Sequence, residues 1–347
     1  VSYDISRRSL LIGGAGAIAG MGLTSALYAE KSMSSLLKKR PILGSGEFTY
    51  ECYHDWLTPP ANLMWGDTHG LAVDSHGRIY VAHTVHEGSV SSDAIVVYDQ
   101  KGKFITSWGA EFRGGAHGLD LRKEGSEEFL YHCDIAHRKV VKTTLDGKKV
   151  WETGVPTQSG VYASENQWCP TNVAFHPDGD VFVGDGYGSS YIHLYSKDGD
   201  YKGIVVKPGH DAGFVQQPHG LWVDHRSKTP KLVVADRANR RLQEFTLEGQ
   251  HLGFVTEGMR QPCHIHYNHD LVLVPDLTSV VTILDKDNKV VASLGDGAPD
   301  DLRNEPREKF IPGKFVHPHA AIWINKRDIV VVEWVPIGRV TLLKHVA

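Results

Sequence analysis

The chain has 347 residues, 22 % of them charged, and a formal net charge of −4 at pH 7. No basic excess marks it for nucleic acid or for an anionic membrane surface. Its four cysteines, Cys52, Cys133, Cys169 and Cys263, stand far apart, so it is not a small disulfide scaffold.

In chain order, the first element is an address. Ser6-Arg7-Arg8-Ser9-Leu10-Leu11 puts paired arginines before an apolar, glycine-rich stretch that ends Leu27-Tyr28-Ala29. Charged, apolar and small-residue regions then follow in the order an export signal needs. The paired arginines predict the twin-arginine route, with that export machinery as a partner and a periplasmic or secreted destination. Glycines weaken the stretch as a spanning helix, so no stable membrane span is expected in the mature chain. The expected organisation is a signal at 1–29, a linker at 30–46 and one domain at 47–347.

Within that domain a four-strand pattern repeats. Its first instance runs through Gly70–Asp74, Arg78–Ala82, Ala94–Tyr98 and Lys103–Trp108, with turn residues at Ser75-His76-Gly77 and Asp99–Gly102. The pattern returns at Val173–Phe175, Val181–Val183 and Ile192–Tyr195, and again at Leu221–Asp224, Leu232–Ala235 and Leu242–Phe245. The last instance shows three strands, within Ala321–Ile324, Ile329–Trp334 and Arg339–Lys344. Phe48–Tyr53, an alternating segment left over before the first instance, is the expected fourth. A stretch at 296–314, rich in charge, Pro and Gly, reads as a long loop over one face.

A polar residue opens the first strand of every repeat. Five are histidines: His69, His117, His219, His264 and His319; the sixth is Asn172. They sit in variants of one phrase, as in Ala116-His117-Gly118-Leu119 and Gln217-Pro218-His219-Gly220-Leu221. The phrase recurs roughly every 50 residues, the period of a propeller blade. The fold class is therefore all-β, a six-bladed β-propeller closed by N- and C-terminal strands sharing one blade, which leaves no open sheet edge. First strands line the axis of such a ring, so the five imidazoles would converge there. Imidazole is the commonest zinc ligand, and a catalytic zinc takes three protein ligands plus an open position.

Two strand-end phrases frame those histidines. Asp185-Gly186-Tyr187 follows Asn172, and Asp236-Arg237 follows His219. Asp185 and Asp236 read as residues that fix their loops by accepting from backbone amides. Tyr187 near a metal can have its pKa lowered enough to act as a base, and Arg237 can clamp a carboxylate or a developing anion. Cys169 and Cys263 flank the axis positions and read as buried small side chains.

Gln167-Trp168-Cys169-Pro170-Thr171-Asn172-Val173-Ala174, Phe182-Val183-Gly184-Asp185-Gly186-Tyr187, Gln217-Pro218-His219-Gly220-Leu221 and Val234-Ala235-Asp236-Arg237-Ala238-Asn239-Arg240 resemble consecutive phrases of the peptidyl-α-hydroxyglycine α-amidating lyases. Those enzymes are six-bladed NHL-type propellers that cleave hydroxyglycine-extended peptides to amides and glyoxylate. The likeness is strongest from His117 to Phe245, and Asp134-Ile135-Ala136-His137 matches a further phrase. It implies zinc, or another divalent transition metal, on His117, His219 and His319, with Tyr187 as base and Arg237 as an active-site arginine. His69 and His264 are possible additional ligands. Two departures limit what carries over. Thr84 stands near where a second substrate-holding arginine would lie, and Ala320 stands where the family's calcium aspartate would be. Peptide-amidating specificity and calcium are therefore not carried over.

The expectation is an exported metal-dependent propeller enzyme, lyase-like or hydrolytic, acting on a small-molecule or peptide substrate that bears a hydroxyl or carbonyl group. The alternative is a non-catalytic NHL propeller that binds a protein or glycan on one face. A calcium-dependent sugar lactonase would need carboxylate and amide ligands at the axis, where this chain has imidazoles.

Overall fold

Six sheets, antiparallel except where Phe214–Val215 adds a short parallel strand to the third, follow one another along the chain in a computed structural model that describes residues 40–346. The export signal and most of the expected linker lie outside the described residues. Blade 1 is Thr68–Val73, Ile79–His83, Ile95–Tyr98 and Phe104–Trp108, each strand paired with the next. Blades 2 to 5 repeat this order, beginning at Ala116, Asn172, Pro218 and His266. Blade 6 takes Pro318–Trp323, Ile329–Glu333 and Arg339–His345 from the C-terminal part of the chain. Its fourth strand is Tyr50–Tyr53, in register with Arg339–His345 through Cys52 opposite Leu343. Ile42–Leu43 adds a fifth strand to that blade, inside the stretch expected as linker.

The second strand of a blade is covered on both faces by neighbouring blades, and its sequence shows it. Ile79–His83 is buried at every position. Outer strands are covered less and alternate, as in Val290–Leu294. The core accordingly lies between blades. Leu71, Val81 and Val96 pack on Ile322, Val330 and Val340, joining blade 1 to blade 6. Similar clusters join blades 1 and 2, 2 and 3, 3 and 4, 4 and 5, and 5 and 6, so the hydrophobic contacts form a closed circuit.

Near the axis the first strands approach so closely that a side chain would not fit after the axis residue. A Cβ on Gly220 would stand 2.5 Å from the Cys263 carbonyl oxygen and 2.7 Å from His264 Cα. Both neighbours are backbone and cannot swing aside. Gly220→Ala is expected to destabilise the protein by about 1–3 kcal/mol, the range for overpacking a filled interior. Denaturant unfolding measures this, and an unchanged midpoint would contradict so close an approach.

Candidate metal centre

In the blades of His69, His117, His219 and His319 the first strand pairs with the second through an irregularity at the histidine. A bulge of this kind re-aims a side chain. Asn172 instead pairs regularly with Gly184. His264 lies outside the strand proper, between the bridge of Pro262 with Asp276 and the first strand residue, His266. The six axis positions therefore divide into four plus two.

The four imidazoles come together. Ring centroids are 4.7 Å apart for His69 and His117, 4.5 Å for His69 and His319, and 4.9 Å for His117 and His219. His319 stands 4.7 Å from both His117 and His219. His69, His117 and His319 each offer a nitrogen, all within 4.8 Å of one another, and could hold a metal ion. The expected triad of His117, His219 and His319 differs from that set by one member. The space that the four imidazoles line together with Asn172, His264 and the adjoining strand residues is about 10 Å³, room for roughly one water or ion.

Three of these rings are fixed by hydrogen bonds to backbone. His117 Nδ1 donates to the Thr171 carbonyl at 2.9 Å, His219 Nδ1 to Cys263 at 2.7 Å and His319 Nδ1 to His69 at 3.0 Å. A carbonyl only accepts, so each Nδ1 carries the proton and each Nε2 keeps its lone pair. The Tyr187 hydroxyl lies 3.3 Å from His117 Nε2 and 3.0 Å from His219 Nε2. It has one proton for two acceptors. His319 Nε2 faces His69 Nδ1 at 3.3 Å. The cluster holds more lone pairs than protons, which is the condition a metal ion satisfies, and backbone-tied Nδ1 atoms are how proteins orient metal-binding imidazoles.

Burial keeps the rings neutral. It pulls His117 down to about 3, against a weaker contrary effect of the Thr171 carbonyl. His69, His219 and His319 are held well below 6.5, by burial first and then by neighbouring imidazoles and arginines. Without an ion, burial raises the Tyr187 pKa, and the Arg237 guanidinium opposes the rise. The residue as a whole is 37 % exposed, while its hydroxyl is bonded to the buried His117, His219 and Arg237.

Arg237 is buried, donates to the Tyr187 hydroxyl at 3.3 Å and lies 5.0 Å from its ring centre. Its other side-chain contact is Cys263 Sγ at 3.8 Å. Among the described residues no carboxylate pairs with it. Asp185 accepts from the amides of Cys169 and Ser189 and from Tyr162, and Asp236 from Gln216, Asn239 and Arg241, so both fix loops as expected. All four cysteines are free and buried.

His264 does not join the cluster. Its Nδ1 is buried without a partner, and it separates the cluster from a cavity of about 240 Å³ lined by Asp120, Trp222, His266 and Trp323. Burial pushes the Asp120 carboxyl up to about 7, although Asn172 donates to it at 2.7 Å. On the opposite side the 296–314 loop brings Arg303 over Trp334 and into a 2.8 Å ion pair with Asp67. Thr84 accepts from the Asp67 amide and carries no charge to the site. The sequence reading missed Arg303 and the carbonyls of Thr171 and Cys263. A backbone acceptor leaves no sequence signal, and Arg303 lies in a loop without pattern.

No family model matches the chain. It is 30 % identical over 250 residues to the rat peptidylglycine α-amidating monooxygenase, covering 60 % of this chain and 24 % of that protein. It is 27 % identical over 264 residues to the Drosophila melanogaster peptidyl-α-hydroxyglycine α-amidating lyase 1, covering 66 % and 46 %. The Drosophila lyase 2 is 24 % identical over 306 residues, covering 79 % and 70 %. The chain thus spans about a quarter of the rat relative's length. Among solved structures, a streptogramin B lyase superposes with a TM-score of 0.56 at 11 % identity, covering 84 % of this chain and 98 % of that one. A chain of a nidogen/laminin complex gives a TM-score of 0.53 at 17 % identity, covering 73 % and 91 %. These two share the fold. The chain is a six-bladed propeller similar to the amidating lyases, and among the described residues no helix is long and apolar enough to cross a membrane.

The buried imidazoles make metal-free stability depend on pH. His83, His117, His132 and His266 are pulled to about 3, and His54, His193 and His264 to about 4, chiefly by burial. Below 6.5 the unfolded chain takes up protons that the folded one refuses, so stability falls as pH drops from 6.5 towards 4. Asp120 and Asp185, raised by burial to about 7 and about 6, act oppositely but are outnumbered. The expected slope exceeds one proton, or about 1.4 kcal/mol per pH unit. Denaturant unfolding of metal-free protein across this range reads it; a flat profile would contradict the buried neutral state.

Proposed function

We propose that the chain is an exported, metal-dependent lyase of the amidating type, acting on a small hydroxyl-bearing carboxylate or its peptide derivative. One observation carries the reading. A buried arginine without a carboxylate partner, and a tyrosine hydroxyl between two imidazole lone pairs, meet at one cluster. A buried cation left unpaired is costly, and an anionic substrate would offset that cost. The resemblance to relatives named as hydroxyglycine amidating lyases supports the same chemistry.

His117, His219 and His319 would hold the ion through their Nε2 atoms. When bound, the ion supplies Lewis-acid polarisation of a substrate oxygen. The protein supplies the rest. Arg237 receives the substrate carboxylate and favours the ionised form of Tyr187, against the burial that raises its pKa. Tyr187 takes the proton from the substrate hydroxyl. The oxygen's electron pair then forms a carbonyl while the adjacent carbon–nitrogen bond breaks; nitrogen keeps the electrons of the broken bond and takes from Tyr187 the proton that the hydroxyl gave up. The products are an amide and an α-oxo acid. The Nδ1 bonds to backbone keep the three rings in one tautomer throughout. Export through the twin-arginine route is supported by Arg7 and Arg8, and replacing both by lysine should leave folded precursor in the cytoplasm on fractionation.

The test pairs metal analysis with turnover of an α-hydroxyglycine peptide. Protein purified without added metal should carry one transition-metal ion per chain. Tyr187→Phe should lower kcat by about 10²–10⁴-fold, the range for loss of a general base. Arg237→Ala should chiefly raise KM. Turnover that survives in Tyr187→Phe, or native protein without metal, sinks this function.

A further inference from the structure

Beyond His264 the channel opens again, away from the imidazole cluster, and its walls change character. The cavity of about 240 Å³ there takes Leu71, Asp120, Trp222, His266 and Trp323 from the first strands of blades 1, 2, 4, 5 and 6. A smaller one of about 100 Å³ shares Asp120 and Trp222 and adds Phe175 from blade 3. Asp120 and Trp222 each stand three residues after the axis histidine of their own strand, roughly 10 Å further along it. The larger cavity has the volume of about eight waters.

Among the described residues Asp120 is the only carboxyl lining either cavity, and no lysine or arginine lines them. It is buried, and its partners are neutral: Asn172 Nδ2 donates to it at 2.7 Å, and the Val173 amide also bonds to it. Asn172 is itself held, its Oδ1 accepting from the Leu221 amide at 3.0 Å, so the carboxyl has a fixed place. A buried carboxylate with no cation beside it is driven towards its neutral form, and burial does push Asp120 up to about 7. The wall around it is aromatic. Trp222 lies 5.1 Å from His266 and 6.0 Å, nearly parallel, from Tyr267, while His266 lies 6.0 Å from Trp323, ring centre to ring centre. Burial keeps His264 and His266 neutral, at about 4 and about 3, so neither competes as a cation for the carboxyl.

One carboxylate among indole and imidazole rings suits an organic cation, whose N–H bonds to the carboxylate and whose charge is attracted to ring faces. A hard metal ion would want about six or more oxygens. We propose that this cavity is a second ligand site, for a primary ammonium ion carrying a compact apolar group, with Asp120 as its counter-ion and Trp222 and Trp323 as its walls. The site is separate from the axial imidazoles and needs no metal there.

The probe is 2-phenylethylammonium, titrated into native protein at pH 8, where a carboxyl of pKa about 7 is largely ionised. Tryptophan emission and calorimetry read binding. One molecule per chain should bind, and 2-phenylethanol, the same shape without the charge, about 10–100-fold more weakly, the range for a hydrogen bond to a charged group. Asp120→Asn should cost a similar factor and Trp222→Leu about 2- to 30-fold, with unfolding midpoints as the folding control. Removing bound metal with a chelator should leave the affinity unchanged. Equal binding of the alcohol, or full affinity in Asp120→Asn, overturns the counter-ion; the alcohol comparison needs no variant and decides the matter if Asp120→Asn does not fold. Calcium that displaces the amine overturns the class of ligand. Affinity that disappears with the metal places the amine at the imidazoles and overturns the second site, as does native protein that binds no amine at millimolar concentration.

Discussion

The axis is organised by an imidazole N–H donated across a blade boundary. His117 reaches Thr171, His219 reaches Cys263 and His319 reaches His69. Each bond runs from an even-numbered blade to the next, so alternate boundaries are stitched at the axis. Gly118 and Gly220 permit it, because a Cβ at either would meet the carbonyl that accepts the bond. One interaction thus does three things. It satisfies a buried carbonyl at the end of a strand, fixes the tautomer of a buried ring and turns that ring's lone pair inward. Close packing of first strands and accumulation of inward lone pairs are consequences of one geometry.

A second recurring contact holds the axis residues in place from behind. Asp185, Asp236, Asp276 and Glu333 each end a second strand and accept from the backbone amides of Cys169, Gln216, Gln261 and Val316. In blade 1 the position is His83, which accepts from Gly66. Each of these amides lies three residues before the axis residue of its own blade. The carboxylates are buried, and burial raises Asp185 to about 6 against the hydrogen bonds that lower it. What keeps such a group inside is directed bonding to amides, since an isolated buried charge would be expelled. The segment entering each axis position is therefore rigid before any ligand arrives.

The period of the histidine phrase made the ring, its six blades and its shared closing blade legible, because propeller blades are long repeats with a fixed strand order. Tyr187 and Arg237 were legible as rim residues for the same reason, and they do reach the axis. What could not be read was the division among the histidines. His69 and His264 sit in nearly the same phrase, yet one points into the cluster and the other lies beside it. The difference is whether the strand bulges at the histidine or starts after it, and that is settled by pairing with the second strand. The metal-free pKa of Tyr187 was illegible for a related reason. Its shift is set by how deeply its hydroxyl is enclosed when two other blades close over it.

Charge at the axis follows from these constraints. Rings held neutral by burial contribute lone pairs and no charge, and among the described residues no carboxylate approaches them closely enough to bond. Arg237 stays cationic in the same enclosure, and Arg303 is neutralised only through Asp67 at the rim. An ion bound among the imidazoles would add to a positive potential that nothing in the described protein cancels. In a low-dielectric enclosure such an excess is compensated by whatever enters from solvent. The pocket therefore selects for anions before it selects for shape. The departures from the amidating lyases at Thr84 and Ala320 leave that preference standing and shift its origin to Arg237 and the four-imidazole cluster.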